Sequence, residues 1–523
     1  MKKISLIFII GGSLLASSCK KDLNQVPISS ATVPTFYLQP SDFIQAVNGA
    51  YNNLRSVPDQ YMFLSEVRSD NIYPSNNDVA RDHDPINNFA PGIPANVYVE
   101  AAWFNDFQGI FKANTVLDQI ANNGSNVGSA ALATRLTAEA KFLRAFFYFD
   151  LVRYYGKVPI VTHPVLSSEA NTIPRSPVAD VYALIIADLQ FAMANLPLNY
   201  AGTFPNYTAT DVGRATKYAA EAILAKVYMT RSGSTYGIEG PGLGLSEWSL
   251  ALPLLQDIIS SGLFVFNPNQ YTFPVAATGI FSYSNQNPSV NKEAIFDVMY
   301  LTGQSTVVGA DFPWLLIPQN YFNALPGGNP TTSGALGAPS TSYNMLNSYA
   351  ATDKRLAPFI HTATFTFSGA PDAHPFFRKW LDTTVTIASK SRFDWPINFI
   401  VVRYTDVLML KAECVLNGAP GSQLTDVDAV VNQVRARAGQ PAIANVTLAQ
   451  LYDERRREFA NEGSRWFDLQ RSGNLITIMN AFEAVEDLAL HKMNPVVANY
   501  IIYPVPQSQL DGAPGLYTQN PGY

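Results

Sequence analysis

Apolar positions recur at helical spacing through much of the chain. Leu136, Ala140, Leu143, Phe147 and Leu151 form one stripe and predict a helix over 136–155, ended by Gly156. Val178, Tyr182, Ile185, Leu189 and Ala192 form the next, after Ser176 and Pro177, a cap followed by proline at the first helical position. The same logic predicts a second pair over 216–230 and 248–261, closed by Gly262. A third pair covers 404–416 and 425–438, ended by Gly418 and Gly439, and a fourth opens at 451. Ala138-Glu139-Ala140, Ala220-Glu221-Ala222 and Ala412-Glu413-Cys414 echo one another on the first helices, and small residues there let paired helices approach closely. Ser41 and Asp42 open a further helix reaching about Arg55, and another runs over about 99–121. Two stretches lack this periodicity. Residues 57–97 are rich in Asn, Asp and Pro, and 267–398 are broken by Gly, Pro, Ser, Thr and Asn, with short strands predicted over 294–299 and 362–367. The expected fold is therefore mostly α: a tetratricopeptide-like helical-repeat scaffold of about four helix pairs over 36–262 and 399–480, carrying a loop-rich, short-strand region.

Charge changes this picture at one place. Residues 451–471, LYDERRREFANEGSRWFDLQR, are the densest charged run in a chain that is only 15% charged, and Thr447 with Gln450 has capping-box spacing before it. A single helix is predicted, with Leu448, Leu451, Tyr452, Arg455 and Phe459 on one face and Glu454, Glu458 and Glu462 in a row at i, i+4. Carboxylates one turn apart are within the range of a glycosidase pair. A general acid needs a raised pKa, however, and Arg455, Arg456, Arg457, Arg465 and Arg471 push the other way. Glu454, Arg455, Arg457, Glu458, Glu462 and Arg465 are expected to form a structural ion network.

Composition adds limits. A net charge of −6, 47% hydrophobic content and no run of five Lys or Arg argue for a folded chain and against nucleic acid as partner. Lys2 and Lys3 precede an apolar segment over 4–15, too short to span a bilayer, so residues 1–18 read as a secretion signal. LLASSC resembles a lipoprotein cleavage site, which makes Cys19 the expected lipidated residue and 19–35 a tether to the membrane. Cys414 then has no partner for a disulfide. His83, His163, His361, His374 and His491 show no metal-ligand spacing, and no nucleophile elbow or phosphate loop is present, so neither a metal nor another cofactor is expected.

The run ERRREFANEGSRWFDLQR resembles the signature near the C-terminus of the SusD/RagB family of outer-membrane nutrient-binding lipoproteins. AEAKFLRAFFYFDLVRYYGKVPIV, GRATKYAAEAILAKVYMTRSG, VVRYTDVLMLKAECVLNG, VVNQVRARAG and YPVPQSQLDGAPGLYTQNPGY resemble further family segments in the same order, so the resemblance covers 19–523 and implies one SusD-like domain over 36–523. It implies a cell-surface protein that captures glycan, or in some members peptide, and delivers it to a SusC-like TonB-dependent transporter, without being an enzyme. The rivals are a glycan-cleaving lipoprotein using Glu458 and Glu462 or loop carboxylates, and a protein-interaction scaffold.

A sugar site needs flat aromatic faces with Asn, Asp and Arg at the rim. Two regions offer that mixture. Asp70, Asn71, Tyr73, Arg81 and Tyr98 come from the first loop, and Tyr283, Trp314, Tyr321 and Tyr343 from the second. Trp103, on a helix, is expected to pack internally; Trp380 and Trp395 could also serve, but Trp395 precedes Pro396 at the entry to a scaffold helix and is expected to pack.

Overall fold

Capping chemistry sets where the helices begin. The computed structural model describes residues 36–73, 81–267, 279–287, 291–302, 308–324, 339–367, 369–382, 394–421 and 423–523; the signal segment 1–18, Cys19 and the tether lie outside them. In chain order the helices used below are α1 (Pro40–Tyr51), α2 (Val57–Tyr61), α3 (Val97–Asn123), α4 (Ala130–Tyr155), α5 (Val178–Asn195), α6 (Lys217–Ser232) and α7 (Trp248–Ser260). After the irregular region come α8 (Tyr404–Leu416), α9 (Leu424–Arg437), α10 (Leu448–Glu458), α11 (Arg465–Ser472) and α12 (Leu475–Glu486). Side-chain oxygens of Asn96, Ser129, Thr216 and Thr447 accept first-turn N–H groups of α3, α4, α6 and α10, satisfying donors that a helix start leaves orphaned. At α5 the helix begins one residue later than the sequence suggests. Pro177 is itself the extended cap (φ −53°, ψ 145°), and Val178 is the first helical residue.

Successive helices stack on one another: α3 on α4, α4 on α5, α5 on α6, α6 on α7, α7 on α8 and α8 on α9, with α10 against both α8 and α9. The molecule is mostly helical because each helix has two apolar flanks and buries them on its neighbours in sequence. The three echoed tripeptides are all buried, and their central glutamates are anchored by cations: Glu139 by Arg135 and Arg214, Glu221 by Lys217, Glu413 by Arg471. Close approach is visible where α3 crosses α4: a Cβ on Gly109 would overlap the Phe147 ring. Strand β1 (Ala294–Val298) pairs antiparallel with β2 (Phe399–Arg403), with Ala294 opposite Arg403 and Val298 opposite Phe399. Because β2 runs directly into α8, this pair ties the irregular region to the helical stack.

Two expectations need correction. Residues 57–97 are not one irregular segment: α2 and a continuing helical stretch through Glu66 occupy its start, and Asp84–Asn87 form another short helix. Val57, Tyr61, Leu64 and Val67 are buried, so this start belongs to the core. The charged run over 451–471 is two helices. Its carbonyls at Glu458 and Ala460 accept from the Lys379 ammonium and that at Asn461 from Trp380 Nε1, while Asn461 and Gly463 adopt positive φ (62° and 78°), which ends α10 and restarts the chain as α11. The strand predicted over 362–367 is shorter, Phe365–Phe367, in a hairpin with Ala370–Asp372.

Candidate functional site

The charged run lies in the interior. Glu458 accepts from Arg437 (2.7 Å) and Arg403 (3.0 Å) and sits 3.3 Å from Arg355; Glu462 is held by Arg403 Nε (2.8 Å) and by Lys379. Glu454 contacts Arg355 at 2.6 Å, Arg457 at 2.8 Å and Arg435 at 2.9 Å. Arg455 bridges Asp406 and Asp468, both at 2.9 Å. Burial by itself would raise the Glu458 carboxyl, but Arg437, Arg403 and Arg355 hold it far below the usual carboxylate range. Glu454 is lowered in the same way, with Arg355 and Arg457 outweighing its burial. Carboxylates kept ionised and enclosed in this way have no proton to give a leaving group.

Three residues of the first candidate loop serve the same interior. Asp70 forms a two-pronged pair with Arg465 (2.8 and 2.8 Å), and Arg456 bonds the Asp70 carbonyl and Asn71 Oδ1. Asn71 donates to Glu66 at 2.8 Å, and the Tyr73 hydroxyl bonds Asp487. All three side chains are buried and committed. Burial opposes ionisation of Asp70, yet Arg456 and Arg465 bring it down to about 2 from 3.8. A lowered carboxyl stabilises the fold above its ordinary pKa, and that stability is lost as pH falls through the folded value. Roughly 2 kcal/mol should therefore disappear between about pH 4 and pH 2, at 1.36 kcal/mol per pKa unit. Asp70→Asn should melt lower than the parent at pH 5 and above by about that free energy, with the gap closing toward pH 2. Parallel melting curves at every pH would contradict the assignment.

Tyr98 is placed differently. It stands in the first turn of α3, where Asn96 Oδ1 caps its N–H at 3.0 Å while Asn96 Nδ2 donates to the Asp82 carbonyl at 2.6 Å. One asparagine thus fixes the start of α3 and the 81–88 segment together. The Tyr98 ring stacks on Phe63 (centroids 3.9 Å, planes 22° apart), and Phe63 stacks on His83 from the other direction (6.1 Å, 19°). Tyr98 is half-buried, and burial with the nearby charges of Asp82 and Asp59 pushes its hydroxyl up to about 12. Asp59 lies on α2 beside Asp311, and its Oδ1 is buried without a hydrogen bond among the described residues. Burial and then the Asp311 charge hold Asp59 well above the usual range, which favours its protonated form, a hydrogen-bond donor. Arg81, whose backbone N–H bonds Asp84 at 2.8 Å, leaves its buried Nε without a partner among the described residues. Burial lowers His83, with Asp84 and Arg81 as opposing charges, so its ring is neutral at pH 7.

This corner therefore joins a supported aromatic ring to the Asp59 and Asp82 carboxyls, part of the inventory for hydroxyl recognition, with Asp311 beside Asp59 and Arg81 next to Asp82 in the chain. Trp314 closes the one-turn 3-10 helix Phe312–Trp314 that begins directly after Asp311. The other candidates lie elsewhere. Tyr321 is buried between His361 (4.6 Å) and Phe376 (4.9 Å), and Tyr283 packs near Trp395 (6.3 Å). Tyr343 is 50% exposed on a ledge whose N–H groups, at Tyr343 and Asn344, are gripped by Glu486. Trp103, Trp380 and Trp395 are core residues. Asp59, Phe63 and Asp311 were not singled out from sequence. Val57, Tyr61 and Leu64 at helical spacing were the available signal, hidden within a segment rich in Asn and Pro. Among the described residues no group of three His, Cys, Asp or Glu is arranged to hold a metal ion.

The chain is similar to known proteins over nearly its whole length. Residues 31–229 match the family model described as "Starch-binding associating with outer membrane", and residues 368–523 match the model described as "SusD family". SusD-like protein P2 of Formosa agariphila is 26% identical, with 100% of each chain covered. A SusD-like protein of Bacteroides ovatus is 26% identical, covering 89% of this chain and 82% of the relative. Among solved structures, surface glycan-binding protein A from Bacteroides thetaiotaomicron, in complex with laminarihexaose, superposes with a TM-score of 0.73 at 20% identity. That match covers 93% of this chain and 100% of the other, and shares the fold. Matched at both ends by its models, related over full length to SusD-like proteins and built on their fold, the chain belongs to the SusD/RagB family of the outer membrane.

Proposed function

We propose that this protein is a cell-surface lipoprotein, anchored through Cys19, that captures oligo- or polysaccharide and hands it to a SusC-like TonB-dependent transporter. The observation that carries the capture step is the Tyr98 platform: a half-buried ring backed by Phe63, with the Asp59 and Asp82 carboxyls near enough to act on its hydroxyl. A pyranose ring lays its apolar face on such a surface, and its hydroxyls both donate and accept at the rim. The similar solved proteins described as glycan-binding support the ligand class, and the laminarin-binding one with the one in complex with laminarihexaose points to the first probe. Hand-over is the role the family resemblance implies for the partner, with capture and release requiring no bond to be broken.

A cleaving role has one observation in its favour, the Asp59 and Asp311 carboxyls held together beside the platform with Asp59 raised. Calorimetric titration with laminarihexaose, a panel of soluble polysaccharides and peptides, each mixture analysed for products, separates the readings. Saturable glycan binding without products is expected, and Tyr98→Ala should weaken it about tenfold, close to 1.4 kcal/mol of lost stacking. Products that vanish in Asp59→Asn would replace capture by hydrolysis, and saturation by peptides alone would replace the ligand class.

A further inference from the structure

A second concavity opens on the two sides of β1, away from Tyr98. One cleft, of about 210 Å3, lies between β1 and the Leu198, Leu263 and Phe264 side chains. The other, of about 300 Å3, lies between β1 and Asn48, Asn52 and Arg55. Val212, Gly213, Asp297 and Met299 form a wall common to both. Together they reach the lower part of the roughly 300–1,000 Å3 range of small-molecule sites.

The lips of the first cleft are apolar and open: Leu198 is 50% exposed, Leu263 43% and Met299 37%. Its floor is polar. Asn398 is fully engaged, its amide donating to Asp297 Oδ2 (3.0 Å) and its oxygen accepting from Tyr300 N–H (3.0 Å). Asn285 is likewise committed to the Ile280 and Asn398 carbonyls. Asn291 differs. It is only 8% exposed, its Oδ1 accepts from Ala294 N–H at 3.3 Å, and its Nδ2, buried at the cleft, has no hydrogen-bond partner among the described residues. A buried amide donor without an acceptor is rare in a finished interior and calls for one from outside. Asp297 supplies the complementary acceptor, and burial pushes its carboxyl up to about 6, so it is ionised at neutral pH. The exposed Lys292 adds a cation at the rim.

We propose that this cleft is a second saccharide subsite, which seats one sugar residue with a ring oxygen accepting from Asn291 Nδ2, a hydroxyl donating to Asp297, and the apolar ring face against Phe264 and Leu263. Neighbouring hydroxyls meet a donor and an acceptor at once, which a purely anionic or purely apolar ligand cannot do. The ligand class rests on the proposed function, whereas the location rests on the cleft.

Met299 offers a reporter on the shared wall. Protein labelled with 13C at the methionine methyl groups, its Met299 resonance assigned through Met299→Leu, is titrated with millimolar glucose, galactose, xylose and laminarihexaose. A saturable shift of the Met299 methyl with at least one sugar is expected. A shift with a free monosaccharide identifies a single-residue ligand, and a shift only with laminarihexaose identifies a unit of a longer chain. The shift should persist in Tyr98→Ala and be lost in Leu263→Trp, where an exposed lip is enlarged to fill the cleft without removing a hydrogen bond. Asp297→Asn, which keeps an oxygen for Asn398, should bind about tenfold more weakly through loss of a charged acceptor. A Met299 methyl that stays in place with all four sugars overturns the subsite, whatever laminarihexaose does at Tyr98. Binding that survives at Met299 while Tyr98→Ala leaves total affinity unchanged overturns the platform and retains the cleft.

Discussion

Arg403→Met is expected to cost at least 3–5 kcal/mol, on the order measured when one partner of a buried ion pair is removed, and so to abolish or nearly abolish soluble folded protein. Arg403 is 1% exposed at the end of β2. Its guanidinium reaches Glu293 at 3.0 Å, Glu458 at 3.0 Å and Glu462 at 2.8 Å, and its plane lies 4.3 Å from the centre of the Phe459 ring. A methionine fills most of that volume but leaves three carboxylates in the interior short of a cation. Lys379 stays on Glu462, Arg437 on Glu458 with a long contact to Glu293 (3.5 Å), and Arg355 on Glu454 and Glu458, so none of them replaces a cation that faces all three. Arg403→Lys should also be severely destabilised, because an ammonium is one point charge whereas the guanidinium faces three acceptors in a fixed fork. Thermal unfolding of the two variants against the parent tests this. A melting temperature within a few degrees of the parent would mean that β2 is not held to the α10–α11 turn by this residue.

Gly463→Ala should be nearly as damaging, at about 2–6 kcal/mol. Its φ of 78° costs a residue with a Cβ roughly 1–3 kcal/mol, and overpacking adds a comparable amount. The added carbon would strike the Cβ of Tyr61, which is fixed to the α2 backbone and cannot rotate away. The Gly463 N–H also donates to Glu66 Oε1 at 2.8 Å, so a shift of the turn would take that bond from the buried carboxyl and leave it the one from Asn71. Chemical denaturation should give a lower midpoint with an unchanged slope, the sign of lost stability without a changed native surface. A neutral result would place the strain of this turn elsewhere.

Both results depend on one junction, and the sequence reaches only part of it. Glu454, Glu458 and Glu462 among arginines are visible as a charge pattern, and the capping box at Thr447 and Gln450 is seen in the structure with both bonds made. The break after Glu458 is not visible, because the atoms that cause it belong to Lys379 and Trp380, some eighty residues earlier in the chain. A longer distance, about 250 residues, separates the halves of the candidate site. Tyr98 and Arg81 could be named from residue type, but Asp59 and Asp311 become a pair only when the segment after α1 and the segment after β1 meet. Residue type also misplaced emphasis: Asp70, Asn71, Tyr73 and Tyr321 have the chemistry of a binding loop and are spent on interior partners.

What the sequence by itself determined is whatever a few neighbouring residues settle among themselves. Helical periodicity, side-chain caps at Asn96, Thr216 and Thr447, and terminating glycines at 156, 262, 418 and 439 are decided within one or two turns, where spacing in sequence is spacing in space. Only the tertiary structure decided which polar residues face outward. Asp59 stands at the start of the helical stretch that runs to Glu66, and Asp70 follows its end by four residues. Asp70 meets Arg465 and Arg456 and is held ionised in the core, while Asp59 meets Asp311 near Tyr98 and has no hydrogen bond at Oδ1 among the described residues. The charge and solvent an ionisable group encounters come from parts of the chain far away in sequence, and they set both its pKa and its role.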